Sequence, residues 1–565
     1  MVQAMKRWIL AWFAVGSLVM AAEKPPAANE AADKLPTVVG AIPGPVKALG
    51  PPIDMQSPGG IQMAVTASTE KAQAQVLQGL NHLHGGWEFE ASRHFAIAMT
   101  EDPECLLAHW GMAMALLSPS PETDGARVAA TERMLYLINE GKGSELERGY
   151  AFGLVKYIQE ASTAAANAFR KVSEKFPNDM QSVIFVSLFG RSGYNEFGPL
   201  PDQQVAEDRL LDLIKKHPDS PVPLHALLLI RAEAPNLTSS LDLARKLTQL
   251  SPGYAPYFHV LGHYEWRCGE HGKAASAFGR AATIFDRWRE ENKASLADCP
   301  EWVKSECYRI VALSSKGDFE TAYAASRRVA EVPLPAKRNG SAGTRMLLWE
   351  AKTLPARLLM KRGLPGNTNE AFHSLPTPDS LKPTLERSLA AWWIDGLRLA
   401  LEAKRLAEAG KLQDAKVTAA VLSKHGESMS LLQEAAGKGG ERSAWNRAFR
   451  ALESIASEIN GRIALAGPPV AHGSAYNWFR SAADRQQPAT MLYPPPILQP
   501  MVGRVGEYYM LAKRPVDAVD AFKEALALYP NDIDTLKSLA GAYKAANLTK
   551  EAEETRALIS KLEGQ

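Results

Sequence analysis

The feature that most constrains the fold is a spacing of small and aromatic residues that occurs at several places along the chain. In the central stretch it consists of Gly262, Ala274, Phe278 and Ala281. The same offsets, extended by a proline, occur at Gly79, Ala91, Phe95, Ala98 and Pro103 and again at Gly506, Ala518, Phe522, Ala525 and Pro530. A recurring pattern of this kind predicts a repeated structural unit rather than one compact core.

These offsets are those of the tetratricopeptide repeat (TPR), a pair of helices of about 34 residues. Small residues let the two helices of a unit approach, the aromatic residue fills the gap between neighbouring units, and the proline ends the second helix. Weaker copies lie at Gly153, Ala165, Phe169 and Pro177 and at Ala206, Leu210, Leu213 and Pro218. We therefore predict an all-α fold, a superhelical solenoid of TPR-type helical hairpins.

The chain has 565 residues, too many for one compact domain, and we divide it by composition and periodicity. Residues 1–22 are predicted to be a signal peptide and residues 23–64 a disordered linker rich in proline and alanine. Residues 65–286 are assigned to an N-terminal TPR array and 287–470 to degenerate helical hairpins with loops. Residues 471–565 are assigned to a proline-rich crossing segment and a C-terminal TPR pair.

The first residues have the layout of a secretory signal peptide. Two basic residues at positions 6 and 7 precede an apolar run from Trp8 to Met20. An uncleaved membrane anchor is the alternative, although the run is shorter than the about 20 residues that span a bilayer. No cysteine follows the run, so a lipoprotein cleavage site is missing. We expect cleavage after Ala21 or Ala22 and a periplasmic or secreted protein without a membrane span.

Composition narrows the partners and the cysteine chemistry. The 64 basic and 62 acidic residues leave a formal net charge of +2, which gives no support for nucleic-acid binding through a broad basic surface. Export makes the four cysteines candidates for disulfides. Four cysteines allow three complete pairings, and Cys299 with Cys307 is the local option.

The stretch "YFHVLGHYEWRCGEHGKAASAFGRAA" permits two interpretations. His259 and His263 lie four residues apart, so they share a helix face and could both bind one metal ion. A zinc protease motif would place a glutamate beside the first histidine, where this chain has Val260. In the repeat register both histidines face the concave groove, and Trp266 and Arg267 follow them.

The first repeats add two residues to the candidate groove. His84 takes a groove-facing position of the first unit, and Trp110 lies near the start of the next. The chain contains no GxSxG, no GxxxxGK[ST] and no GxGxxG that opens a helix. No nucleophile, base and oxyanion site can be assembled from the remaining motifs.

Three phrases resemble a group of large exported bacterial TPR proteins. They are "QGLNHLHGGWEFEASRHFAIAMTEDPECLLAHWGMAMAL", "LSPGYAPYFHVLGHYEWRCGEHGKAASA" and "PPPILQPMVGRVGEYYMLAKRPVDAVDAFKEALALYPND". Members of that group carry a histidine-rich helix before the central phrase, whereas "PLHALLLIRAEAP" here keeps only His225. The resemblance implies a TPR fold and export, and it implies no particular activity.

The preferred hypothesis is an exported scaffold that binds a protein or peptide segment in its concave groove, with no catalysis and no cofactor of its own. The groove residues would be His259, His263, Trp266, Arg267, His84 and Trp110. The alternative is a metal-binding protein or metal-dependent enzyme that uses His259 and His263 as ligands.

Overall fold

The computed structural model describes residues 35–55, 58–118, 120–335, 337–377, 380, 389–429 and 442–564. The predicted signal peptide and the first part of the predicted linker lie outside these residues. The described chain is helical almost throughout, and successive helices pack as antiparallel hairpins. The prediction of an all-α solenoid of TPR-type hairpins is confirmed.

We number the described helices in chain order. The first thirteen are α1 Gly44–Ala48, α2 Glu70–His84, α3 Glu88–Glu101, α4 Leu106–Ala115, α5 Asp124–Asn139, α6 Glu145–Glu160, α7 Ser162–Lys175, α8 Met180–Gly190, α9 Pro201–Lys216, α10 Pro221–Arg231, α11 Leu241–Leu250, α12 Ala255–Arg267 and α13 His271–Glu291. Between α8 and α9, strands β1 Tyr194–Asn195 and β2 Gly198–Pro199 form a short antiparallel hairpin.

The second half of the chain continues in the same way. Its helices are α14 Pro300–Ser315, α15 Phe319–Glu331, α16 Ala342–Trp349, α17 Leu354–Arg362, α18 Asn367–Ser374, α19 Leu389–Glu408, α20 Leu412–Glu427, α21 Arg442–Ala466, α22 His472–Arg485, α23 Val502–Leu511, α24 Pro515–Leu528, α25 Ile533–Ala545 and α26 Thr549–Glu563. In the described ranges, no helix is both long enough and apolar enough to cross a membrane.

The small and aromatic residues of the repeat pattern meet inside each hairpin. A Cβ atom added to Gly79 would lie 2.6 Å from the ring of Phe95, and one added to Gly153 would lie 2.5 Å from Phe169. Such distances are shorter than any tolerated carbon contact, so glycine is required for the helices to pack this closely. The same relation joins Gly262 to Phe278, Gly461 to Phe479 and Gly506 to Phe522.

The described residues of the segment before the first repeat, 35–55 and 58–64, pack against the solenoid, which differs from the disordered linker predicted over 23–64. Its backbone is held by side chains of the solenoid: Ile61 N donates to Asn81 Oδ1 at 2.9 Å, and Thr66 N donates to Glu147 Oε1 at 2.7 Å. Apolar residues of this segment enter the N-terminal core, namely Ala41, Ile42, Val46, Ile61 and Val65. Burial of these apolar side chains stabilises the segment in one conformation. The proline-rich composition by itself predicts too little apolar burial for this.

The C-terminal repeats fold back onto the centre of the solenoid through the turn that joins α24 to α25. We call Pro530, Asn531 and Asp532 of this turn the latch. Pro530 O accepts a hydrogen bond from His271 Nε2 at 2.9 Å. Asp532 Oδ2 lies 2.7 Å from Lys361 Nζ, and both side chains are buried. The latch therefore brings the C-terminal TPR pair against the turns and helix ends of the central hairpins.

Candidate functional site

One face of α12 lines the centre of the solenoid. His259, His263 and Arg267 follow each other at intervals of four residues, so they project from the same side of the helix. The opposite side carries Tyr257 and Tyr264, which are fully buried in the core. Packing of these aromatic side chains fixes the rotation of α12 and points the two histidines and the arginine inward.

The space in front of this face is filled by the chain itself. Residues 487–498, which we call the inserted loop, leave the end of α22 and contain no helix or strand. The loop closes on itself because Met501 N donates to Gln486 Oε1 at 2.6 Å and Gln486 Nε2 donates to Gln499 O at 2.8 Å. A compact loop with adjacent ends is an Ω-loop.

Donors on the central helices bind the main chain of the inserted loop. His259 Nε2 donates to Met491 O at 3.0 Å, and Arg267 donates to Ala489 O at 3.4 Å. The hydroxyl of Tyr308, on α14, donates to Thr490 O and, at 2.7 Å, to Tyr493 O. These contacts recognise a backbone and not a particular side chain.

Donors on later helices continue the same mode of binding. Arg357, on α17, donates to Pro495 O at 3.1 Å, and Arg447, on α21, donates to Pro494 O at 2.8 Å. The hydroxyl of Tyr529, at the end of α24, donates to Ile497 O at 3.0 Å. A proline keeps its carbonyl acceptor but has no N–H donor, so a groove rich in donors matches the proline-rich loop.

Apolar side chains of the loop bridge separate parts of the core. Met491 belongs to the core cluster of α11–α13, Ile497 to the cluster around α19–α21, and Leu498 to the cluster around α14 and α15. Leu492 differs from them because 60% of its surface is exposed. The loop therefore presents Leu492 to solvent while Met491, Ile497 and Leu498 join the clusters.

The protonation of His259 follows from its partners. Because a carbonyl only accepts, Nε2 carries the hydrogen that is donated to Met491 O, and Nδ1 accepts from Ser305 Oγ at 3.1 Å. Burial is the main cause that lowers the pKa of His259 well below its usual range, with Lys304 nearby as a further cause. The ring is therefore neutral at pH 7.

The arginines of the groove lie near carboxylates. Arg357 is 2.7 Å from Glu350, and both side chains are buried. Burial raises the pKa of Glu233, while the charges of Arg267 and Arg447 and a hydrogen bond from the Met491 backbone act against that rise. The carboxylates thus partly neutralise the positive charge of the arginines in the groove. A groove with balanced charges matches the uncharged loop that fills it.

Three of the four ring nitrogens of His259 and His263 have hydrogen-bond partners in this arrangement. Both ring nitrogens of His259 have partners, and Nε2 of His263 bonds to Ala232 O at 3.1 Å. Only Nδ1 of His263 has no partner among the described residues. Within those residues, no group of three or more histidine, cysteine, aspartate or glutamate side chains could hold a metal ion.

The other predicted groove residues, Trp266, His84 and Trp110, lie in the interior of the protein. Trp266 is 3% exposed and donates from its indole to Ser315 Oγ at 3.2 Å. His84 bonds to Gln181 Oε1 at 3.0 Å, and Trp110, fully buried, donates to Tyr150 O at 3.1 Å. All three fill gaps between helices, because large rings at these positions gain more from packing than from exposure.

The local option for a disulfide, Cys299 with Cys307, is not formed in the structure. Cys299 caps α14, and Cys307 lies eight residues further along the same helix. A helix rises about 1.5 Å per residue, which places the two Cα atoms about 12 Å apart. A disulfide requires less than about 7 Å. All four cysteines are free, and burial raises the pKa of the Cys299 and Cys307 thiols well above the ordinary value.

Sequence reasoning missed most of the donors that hold the loop. Tyr308, Arg357 and Arg447 lie in the region where the repeat register could not be followed, so their faces were not assigned. The proline-rich segment itself was identified as a crossing element. A sequence signal for the contact was the run of three prolines at 494–496, which offers acceptors without donors.

No protein-family model matches the chain, and no curated protein is similar to it. The TPR domain of P58(IPK) is 12% identical, covering 85% of this chain and 99% of that chain with a TM-score of 0.21. The Cut9–Hcn1 hetero-tetramer of the APC/C is 12% identical, and the match covers 76% of this chain and 97% of that chain with a TM-score of 0.23. Yeast Tom70 is 11% identical, and the match covers 86% of this chain and 90% of that chain with a TM-score of 0.26. The assignment as a TPR-like protein rests on the repeat geometry described above.

Proposed function

We propose that this protein is an exported scaffold that binds a segment of a partner protein in its central groove, without catalysis of its own. The observation that supports this function is the set of donors on α12, α14, α17 and α21 that bind the carbonyl oxygens of a non-helical segment. Contacts of this type depend on the backbone, so they are available to any segment of suitable shape. Stacked helical hairpins build extended surfaces of this type.

Photo-cross-linking in the producing cell tests this function. A photoreactive residue would replace Leu492, an exposed apolar side chain of the inserted loop that fills the groove. We expect it to form an adduct with one protein partner under ultraviolet light. The matched control is Val417, which is 57% exposed on α20. Equal adducts at both positions, or none at either, would contradict a partner that binds at the groove.

Export is part of the proposal and has its own test. It is supported by the basic pair and apolar run at the start of the sequence. We expect the mature chain to begin near Ala22 or Glu23 and to be found outside the cytoplasm. N-terminal sequencing of the purified protein checks this expectation, and an intact Met1 would count against cleavage.

A further inference from the structure

The inserted loop begins and ends at nearly the same place. Its two ends meet at Gln486, whose amide bonds to Gln499 and Met501. Helices α22 and α23, which precede and follow the loop, also pack against each other directly. A linker of a few residues would therefore connect them, and the loop is an insertion into the groove rather than a required connection.

The contacts on the loop define what the groove accepts. Seven carbonyl oxygens of the loop accept hydrogen bonds from six side chains of the groove. Arg447 also donates a hydrogen bond to a side chain of the loop, at Thr490 Oγ1. The sequence of the loop, QPATMLYPPPIL, contains no charged residue. The groove therefore suits an uncharged segment that is rich in proline and carries apolar side chains.

We propose that the partner segment has this same chemistry and that the inserted loop competes with it from within the chain. This inference rests on the proposed function and specifies its ligand and its regulation. While the loop is seated, His259, Arg267 and Arg447 are occupied and the groove is closed. A segment from a partner must displace the loop, whose tether gives it an effective concentration on the order of millimolar.

The decisive experiment measures binding of the loop as a separate peptide. The probe is a fluorescent peptide with the sequence of residues 487–498, and the protein is the full chain in which these residues are replaced by a short Gly/Ser linker. We expect fluorescence anisotropy to show binding to the linker variant and about a hundredfold weaker binding to the unmodified chain. A peptide with alanine at all three positions 494–496 is the matched control and should bind more weakly.

A substitution in the groove shows whether the peptide binds in the same place. Arg447→Gln in the linker variant removes a charged donor to Tyr493 O and Pro494 O. We expect about tenfold weaker peptide binding, as for a lost hydrogen bond from a charged group. A linker variant that melts cooperatively but binds neither peptide, or binds both alike, would overturn the proposal.

The full chain provides a second test if the linker variant does not fold. Tyr308→Phe combined with Arg447→Gln weakens the hold on the loop while the Tyr308 ring still packs against Phe278. We expect faster hydrogen exchange at the amides of Leu492 and Tyr493, with unchanged exchange in α12, and a gain of peptide binding. Unchanged loop exchange, or faster exchange without peptide binding, would show that the loop is a permanent part of the core. Peptide binding without a cellular adduct at Leu492 would contradict the proposed function alone.

Discussion

Gly262 lies directly against the ring of Phe278, and a Cβ atom on the glycine would be 2.7 Å from Phe278 Cδ1. We expect Gly262→Ala to destabilise the protein by about 1–3 kcal/mol, since the added methyl group overpacks the hairpin. The matched control is Gly541→Ala in α25, where a Cβ would meet no atom within 4 Å. That change should stabilise by about 0.5–1 kcal/mol because alanine favours a helix. Urea unfolding checks both, and effects of equal sign would refute the packing argument.

The buried histidines of α12 should be structural. Sequence alone predicts groove-facing side chains whose replacement leaves stability nearly unchanged, whereas His259 is 4% exposed and His263 is fully buried. We expect His259→Gln and His263→Gln each to cost about 1–3 kcal/mol, because a flexible amide replaces a rigid buried ring that packs against Phe278 or Tyr308 and must be ordered to reach the same carbonyl. His217→Gln, on an exposed residue, should change stability by less than about 0.5 kcal/mol. Zinc or copper near one per chain that disappears in the double variant would restore the metal hypothesis.

Histidine burial should make stability strongly dependent on pH. Burial lowers the pKa of seven histidines to about 3 or about 4: His82, His84, His94, His109, His225, His263 and His271. In the unfolded chain the histidines bind protons below about pH 6.5, whereas in the folded chain they bind protons only near their lowered pKa values. Because the unfolded state binds more protons between these pH values, the free energy of unfolding falls as the pH decreases. Carboxyl groups whose pKa is raised by burial have the opposite effect and reduce this fall. They are Glu265 and Glu301, with pKa values of about 7, and Glu90, Glu132, Glu233, Asp298 and Asp395.

Urea unfolding at several pH values tests this linkage. We expect the midpoint to fall steeply from about pH 6.5 to about pH 4.5. In His109→Gln the dependence should be shallower by about 1.4 kcal/mol per pH unit, since one proton fewer is taken up on unfolding. A midpoint that stays level or rises over this range would mean that the histidines are not buried as described.

The latch contains a buried ion pair whose loss should be costly. Lys361→Met leaves Asp532 buried without its partner, and we expect a loss of about 3–5 kcal/mol. The control is Lys550→Met, which removes an exposed pair with Glu554 and should change stability by about 1 kcal/mol or less. A thermal melt of each variant checks the difference. Equal melting temperatures would show that the latch does not hold the C-terminal repeats.

The cysteines should all titrate as thiols. We expect four free thiols per chain after denaturation without reductant, because the local pair on α14 is too far apart to join. The melting temperature should be the same with and without reductant. Two missing thiols would indicate a disulfide elsewhere in the protein.

The repeat architecture was predictable because its cause is local. Gly262, Phe278 and their equivalents lie within one hairpin, so a fixed spacing in the sequence reports their contact. The hairpin of α21 and α22 was missed because Phe479 follows Gly461 by 18 residues rather than the 16 of the other pairs. Two additional residues in the turn hid the pattern but preserved the contact.

The content of the groove was not predictable, because its contacts join distant residues. His259 was assigned correctly to a helix, yet its partner Met491 lies 232 residues away. No periodic pattern in the sequence links a donor on one helix to a carbonyl in a distant loop. Every residue has a main-chain carbonyl, so the residue type does not show which carbonyls accept these hydrogen bonds. The proline run showed that residues 494–496 are not helical but not where they pack.

The latch also changes how such a chain loses its structure. In an open repeat array each unit contacts only its neighbours, so the ends can unravel one repeat at a time. Here the hydrogen bond from His271 to Pro530 spans 259 residues and closes the array into a loop of contacts. Opening a repeat between His271 and Pro530 must strain this closure, which favours cooperative unfolding of that part of the chain. Forming contacts of such sequence separation also slows folding. Under a pulling force, the repeats between His271 and Pro530 should therefore resist extension until this contact breaks.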